Sequence, residues 1–140
     1  MKKLIVFQDE SCPMKHACKA LEGKWKIPVI YVLCVNGTLR YSELKQALGI
    51  TNVMLSSTLK DLEQEGLILR ISYNEIPPRV DYSLSKSGEG LVPIIKAFAR
   101  WGASLMCEQQ QAANQNSDET EGLVESEEQL GDSLEEAGQL

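Results

Sequence analysis

Bases disappear from this chain after Arg100. All 14 lysines and arginines stand at or before that residue, and the 140 residues hold a single histidine, two tryptophans and two phenylalanines. Beyond His16 there is no imidazole to serve as a general base, and no glycine-rich phosphate loop is present. Acidic pairs fall on faces that the apolar spacing assigns to solvent. The nucleophile-and-base sets of covalent or acid–base catalysis are therefore missing, and the chain reads as a non-enzyme. Its four cysteines, at positions 12, 18, 34 and 107, lack the paired spacing of a zinc site, so neither metal nor cofactor is expected. No apolar run approaches the roughly 20 residues that a membrane-spanning helix needs. MKKLIVF begins basic, but its apolar stretch from Leu4 to Phe7 is too short for a signal peptide. The expected location is the cytoplasm, with no membrane partner.

The missing bases also divide the chain. Residues 1–107 hold 14 bases against 10 acids, a charge of +4, whereas residues 108–140 hold the other 10 acids and no base. A net charge of −6 and a pI near 4.8 thus conceal a mildly basic body, compatible with nucleic acid. Hydrophobic content of 43% over this length suffices for one domain with a core. The expected organisation is an arm or short strand over 1–11, a domain over 12–108, and an acidic tail over 109–140. That tail has no aromatic residue and too little apolar area to offset its ordering entropy, so disorder is expected there. Within it, Leu123, Leu130, Leu134 and Ala137 have a faint heptad-like spacing that would suit a helix on a partner.

Arg40 to Leu84 organises the rest. YSELKQAL places Leu44, Ala47 and Leu48 on one helical face, and Gly49-Ile50 makes a turn. Thr51 can cap the next helix, TNVMLSSTLKDLEQE, which ends at Gly66. At about 100° per residue, Leu55, Leu59 and Leu62 of that helix share a narrow sector and must face the core. Val53, Ser57, Lys60 and Gln64 lie opposite, with Ser56 and Asp61 at the edges and Asn52 nearer the core side. Asn52 suits adenine, Val53 a thymine methyl, Ser56 and Ser57 can donate or accept, and Lys60 fits a phosphate or a guanine. The same face would serve equally as solvated surface. LILRISY and RVDYSLS then read as two strands joined by Asn74-Glu75-Ile76-Pro77-Pro78, with Arg70, Tyr73 and Arg79 expected together near the hairpin tip. Helix, turn, helix and hairpin make an α+β, mostly α winged helix-turn-helix that reads double-stranded DNA.

The flanks supply more helices. Met14, Ala17, Cys18 and Leu21 recur at helical spacing behind Pro13, which suits a first helical position. Trp25 to Val35 reads as a helix with Ile27, Ile30, Tyr31 and Cys34 on a buried stripe, and Pro28 is tolerable in its first turn. Lys24 and Lys26 at its start are either phosphate contacts or a solvated pair. Thr38-Leu39-Arg40 is expected as a short strand beside the wing. Ser85 can cap a helix running to about Gln111, its start weakened by Gly88, Gly90 and Pro93. Leu91, Ile94, Ile95, Phe98, Trp101 and Leu105 form a wide apolar band on it, suited to covering a second copy of the chain.

Several of these motifs resemble one family. GKW at 23–25, Arg40-Tyr41-x-Glu43-Leu44, Leu59-x-x-Leu62-Glu63-x-x-Gly66-Leu67-Ile68-x-Arg70 and Pro77-Pro78-Arg79-Val80-Asp81-Tyr82-Ser83-Leu84-Ser85-x-x-Gly88 look like the HxlR-type transcriptional regulators of the MarR-like superfamily. The resemblance runs from about Cys12 to Leu105 and does not cover the tail. One departure is that Lys60 is the only base on the outward face of the second helix, which shifts sequence reading towards Asn52 and the serines. The resemblance implies a homodimer joined through N- and C-terminal helices, acting on a palindromic operator. It also bears on Cys12. Free amides and the positive end of the helix dipole would face this sulfur, with Lys15 and His16 one turn on, a setting that favours the reactive thiolate. Some members of the resembled family sense oxidants or electrophiles at this place, and others carry the cysteine with no such role. Cys12 is thus either a redox sensor, resolved by Cys18 or Cys107, or an inert N-cap thiol. A small-molecule or oxidant effector would fit such a regulator. The rival reading is a winged-helix protein-interaction module whose acidic tail recruits a partner.

Overall fold

The computed structural model describes residue 4 and residues 6–138, with side chains described as far as Ser117. The chain forms two compact units, Met1–Ala97 and Phe98–Leu140. In chain order the elements are α1 (Pro13–Ala20), α2 (Lys26–Asn36), β1 (Leu39–Arg40), α3 (Tyr41–Leu48), α4 (Asn52–Gln64), β2 (Ile68–Tyr73), β3 (Arg79–Leu84), α5 (Lys86–Glu89) and α6 (Val92–Gly138).

Local chemistry sets the ends of the two central helices. The Arg40 amide, ahead of α3, donates to the Glu43 carboxylate at 3.2 Å. α3 closes on Gly49 in the left-handed region, which relieves the last turn without a Cβ clash. The Thr51 hydroxyl accepts from the Met54 amide at 3.3 Å, satisfying one orphan donor of α4. α4 gives way to β2 through Gly66, whose φ of 74° again favours glycine. Between these stops Leu55, Leu59 and Leu62 are buried with Leu44 of α3, as their angular spacing predicts.

α2 completes the core from the other side, but on a different stripe from the expected one. Val29, Ile30 and Leu33 are buried, Ile27 and Cys34 are half-buried, and Tyr31 is exposed. A helix apolar on almost every side gives periodicity nothing to select, so its neighbours choose the inward face. The strands form an antiparallel sheet in the order β1-β3-β2, with Leu39 opposite Tyr82 and Ile68 opposite Leu84. Its inner face contributes Ile68 and Tyr82 to the core.

The single helix expected after Ser85 is split into α5 and α6 around Gly90 and Leu91. Ser85 is the reason α5 stays where it is. Its hydroxyl donates to the Gly66 carbonyl at 2.5 Å and accepts from the Gly88 amide at 3.1 Å. Its own amide donates to the Leu67 carbonyl at 3.0 Å. A Cβ on Gly88 would lie 2.1 Å from that same Leu67 oxygen, so no larger residue fits there without moving backbone.

The second unit is helical from Phe98 to Gly138, beyond the expected end near Gln111. Proline is absent from this stretch, and Gln, Ala, Glu and Leu are all favourable helix formers. Leu123, Leu130, Leu134 and Ala137 lie outside the residues whose side chains are described.

Candidate nucleic-acid interface

α4 has two chemically distinct sides. Opposite its leucines, Asn52, Val53, Ser56, Ser57 and Lys60 are all exposed, Val53 to 78%. Asn52, Val53, Ser56 and Ser57 crowd the N-terminal half of the helix, where an α-helix laid in a major groove brings short polar groups to base edges, and Lys60 follows one turn on. Asn52, which the angular reading set nearer the core, stands in solvent with the others.

A residue outside α4 organises two of them. Tyr41, the first residue of α3, brings its hydroxyl within 3.0 Å of Ser56 Oγ, 3.2 Å of the Asn52 carbonyl and 3.3 Å of Asn52 Oδ1. Sequence reasoning missed this group, because a contact between residues 41 and 52 across a helix–turn–helix leaves no periodic trace. The one available signal was a hydroxyl-bearing aromatic residue at the start of the helix that precedes α4.

The hairpin separates residues that the sequence grouped. Tyr73 stands opposite Arg79, whereas Arg70 stands opposite Tyr82. Side chains alternate faces along a strand, so Arg70 shares the face of Ile68 while Tyr73 and Arg79 occupy the other. The expected tip cluster is therefore a pair, with Arg70 apart. The Arg79 guanidinium lies 4.0 Å from the Tyr73 ring centroid and 3.7 Å from Asp81, close enough for charge attraction but too far for a hydrogen bond. Arg40 is exposed and borders an open groove with Tyr41, Glu75, Pro78 and Arg79, a base near the wing that the sequence reading did not single out.

The two lysines at the start of α2 part company. Lys24 is exposed, its ammonium 5.3 Å from the Trp25 ring centroid. Lys26 is only 8% exposed and donates to the Ala20 carbonyl at 3.4 Å. Burial withdraws Lys26 from phosphate contact and gives it a structural role in tying α2 to the end of α1.

The apolar band after Ser85 divides in the same way. Ile95, 4% exposed, belongs to the core of the first unit, and Leu91 packs against that core. This takes Ile95 out of the surface set, because its neighbours within one chain already cover it. Ile94 is exposed, as are Phe98 and Trp101 at 54% and 60%. The rings of Phe98 and Trp101 stack with centroids 5.9 Å apart, and Leu105 is half-buried. α1 has no buried residue, so Met14, Ala17 and Cys18 are open to solvent.

All four cysteines are free thiols. Cys12 is half-buried at the N-cap of α1, and its side chain makes no capping hydrogen bond. Lys15, expected near that sulfur, pairs with Glu10 at 2.5 Å and donates to the Gln8 carbonyl at 3.2 Å. Burial pushes the Cys34 thiol above its ordinary range, partly opposed by the positive charge of Lys96. Cys18 and Cys107 are exposed. Among the described residues no cluster of His, Cys, Asp or Glu could hold a metal ion, and no helix is long and apolar enough to cross a membrane.

A family model described as HxlR-like helix-turn-helix matches residues 20–110. The uncharacterized HTH-type transcriptional regulator YkvN of Bacillus subtilis (strain 168) is 44% identical over 93 residues, 66% of this chain and 78% of that one. Among solved structures, the redox regulator HypR in its oxidized form is 35% identical with a TM-score of 0.61, covering 66% of this chain and 96% of HypR. The reduced transcriptional regulator YodB from B. subtilis is 32% identical with a TM-score of 0.57, over 64% of this chain and 89% of YodB.

Proposed function

The chain belongs to the HxlR-like helix-turn-helix family of transcriptional regulators, and from that premise we propose that it acts as a homodimer on a palindromic operator in double-stranded DNA. The observation that carries this reading is the division of α4: three buried leucines on one side, and Asn52, Val53, Ser56, Ser57 and Lys60 exposed on the other. In this reading α4 enters the major groove, with Asn52, Val53 and the serines against base edges and Lys60 against a phosphate or guanine. Tyr73 and Arg79 on one face of the wing, and Arg70 on the other, meet the neighbouring backbone or minor groove together with Lys24 and Arg40. Ile94, Phe98, Trp101 and Leu105 pack on the twin chain with the open face of α1, since exposed apolar side chains in such number call for cover. Two-fold symmetry then sets the half-sites about one DNA turn, roughly 34 Å, apart. The setting is the cytoplasm, where the operator is.

Electrophoretic mobility shift of the full chain on the region upstream of its own gene, against an unrelated duplex of equal length, tests the proposal. Sequence-selective, salt-sensitive retardation is expected. Equal retardation of both duplexes, or none, would overturn it and favour a protein-interaction module working through the acidic segment 109–140.

Cys12 gives this regulator an input. It is a free thiol directly ahead of Pro13, at the end of α1 where unpaired amides gather, and the similar proteins HypR and YodB are described as a redox regulator and as a diamide-treated form. Diamide should release the wild-type protein from DNA and leave Cys12→Ser bound. Release of both would remove Cys12 as the sensor and point to another thiol, Cys18, Cys34 or Cys107, whereas release of neither would point to a small-molecule effector.

A further inference from the structure

We infer that the phenolic hydroxyl of Tyr41 determines sequence preference by locking Asn52 and Ser56 of α4 into one donor–acceptor arrangement. This inference deepens the DNA-reading proposal above and rests on it. The Tyr41 ring is half-buried against the hydrophobic core, so the position of its hydroxyl is fixed by packing. Three oxygens surround that hydroxyl: Ser56 Oγ at 3.0 Å, the Asn52 carbonyl at 3.2 Å and Asn52 Oδ1 at 3.3 Å.

A phenol has one proton to give and lone pairs to receive with. Both Asn52 oxygens can only accept, so the Tyr41 proton is directed at Asn52. The oxygen of Tyr41 is then completed by a proton from the Ser56 hydroxyl. Hydrogen bonding runs in one direction, from Ser56 to Tyr41 to Asn52, and it orients two exposed side chains at once. With Oδ1 turned towards Tyr41, the Asn52 amide offers its Nδ2 hydrogens outward. With its proton committed to Tyr41, Ser56 offers a lone pair.

This arrangement has a chemical complement. Asn52 as donor matches an acceptor on a major-groove edge, namely purine N7, guanine O6 or thymine O4. Ser56 as acceptor matches an amino group, adenine N6 or cytosine N4. The site therefore selects neighbouring bases that present one acceptor and one donor in that order. Without the hydroxyl, Asn52 can turn over and the Ser56 proton can swing outward, so either residue accepts either kind of edge. Tyr41 is a positioning residue in this scheme and touches no base.

The test uses the full chain and a random-sequence duplex library, with wild type, Tyr41→Phe and Ser56→Ala carried through selection in parallel. Each protein is then titrated against the selected duplex, its single-base variants and one unrelated duplex. Tyr41→Phe keeps the ring and should lose about tenfold discrimination at the base pairs read by Asn52 and Ser56. Its affinity for the unrelated duplex and its salt slope should not change, since no charge is removed. Ser56→Ala should lose preference at the same pairs, and combining the two substitutions should add little further loss. Tyr41→Phe selecting the wild-type motif with undiminished discrimination overturns the inference. So does an equal loss of affinity on every duplex, which would make Tyr41 a packing residue only. If Tyr41→Phe fails to fold, Ser56→Ala decides, and an unaltered motif from it is the overturning result. A wild-type protein that selects no motif would instead overturn the DNA-reading proposal itself.

Discussion

Arg79, half-buried on the wing, and Asn52, exposed on α4, illustrate how differently two residues can contribute. Arg79 already shares its charge with the Tyr73 ring and Asp81, which holds its guanidinium on the wing for a backbone contact in the proposed reading. Arg79→Ala is expected to weaken binding to all duplexes alike and to lower the salt slope by about one unit. Asn52→Ala should instead erase preference at a single base pair, at a cost of about 1–3 kcal/mol on the favoured sequence. Titration of both variants against matched and mismatched duplexes over a range of salt separates the two outcomes. Cysteine chemistry gives a further expectation. The raised Cys34 thiol holds less thiolate at any given pH than an ordinary cysteine, so iodoacetamide at neutral pH should label Cys34 more slowly than exposed Cys18 or Cys107, as peptide mass mapping would report. At this scale the sequence was legible where a residue's neighbours lie within a helical turn. Lys26 and Ile95 were misplaced because burial by another element is invisible to spacing.

Caps and stops are local, and the elements they delimit could be read directly: Thr51 ahead of α4, Gly66 after it and Ser85 ahead of α5 all hold their expected places. The bond from Ser85 to the Gly66 carbonyl spans 19 residues, and no local rule reports it. Gly88→Ala should be the more damaging change here. Its Cβ would collide with a backbone oxygen rather than a pliable side chain, and the loss should reach about 2–3 kcal/mol of unfolding free energy. Thr51→Ala removes one capping bond and should cost about 1 kcal/mol. Urea denaturation followed by circular dichroism ranks the two, and an equal effect would mean that the backbone around Gly88 yields easily. The break between α5 and α6 was signalled by Gly90 and Pro93. The length of α6 was not, since composition reports the burial a segment can achieve and says little about a helix held by its own backbone bonds.

For the whole molecule, the expected assembly turns on the stacked pair Phe98 and Trp101. Phe98→Glu should convert dimers to monomers, because a carboxylate in a dry contact has nothing to replace its water. Loss of DNA affinity should accompany it. Sedimentation velocity decides, and an unchanged dimer would assign these rings another role. The distribution of charge between body and tail was legible from counting alone, and the winged helix-turn-helix from periodicity, caps and turn residues, all of which are local along the chain.

The triple linkage at Ser85 and Gly88 also has a mechanical meaning. Gly66 and Leu67 follow α4 and accept hydrogen bonds from Ser85 at the head of α5, where a Cβ on Gly88 would meet the Leu67 oxygen. Movement of the α5 turn therefore carries the residues behind α4 with it, because the tie runs through the backbone oxygens of Gly66 and Leu67.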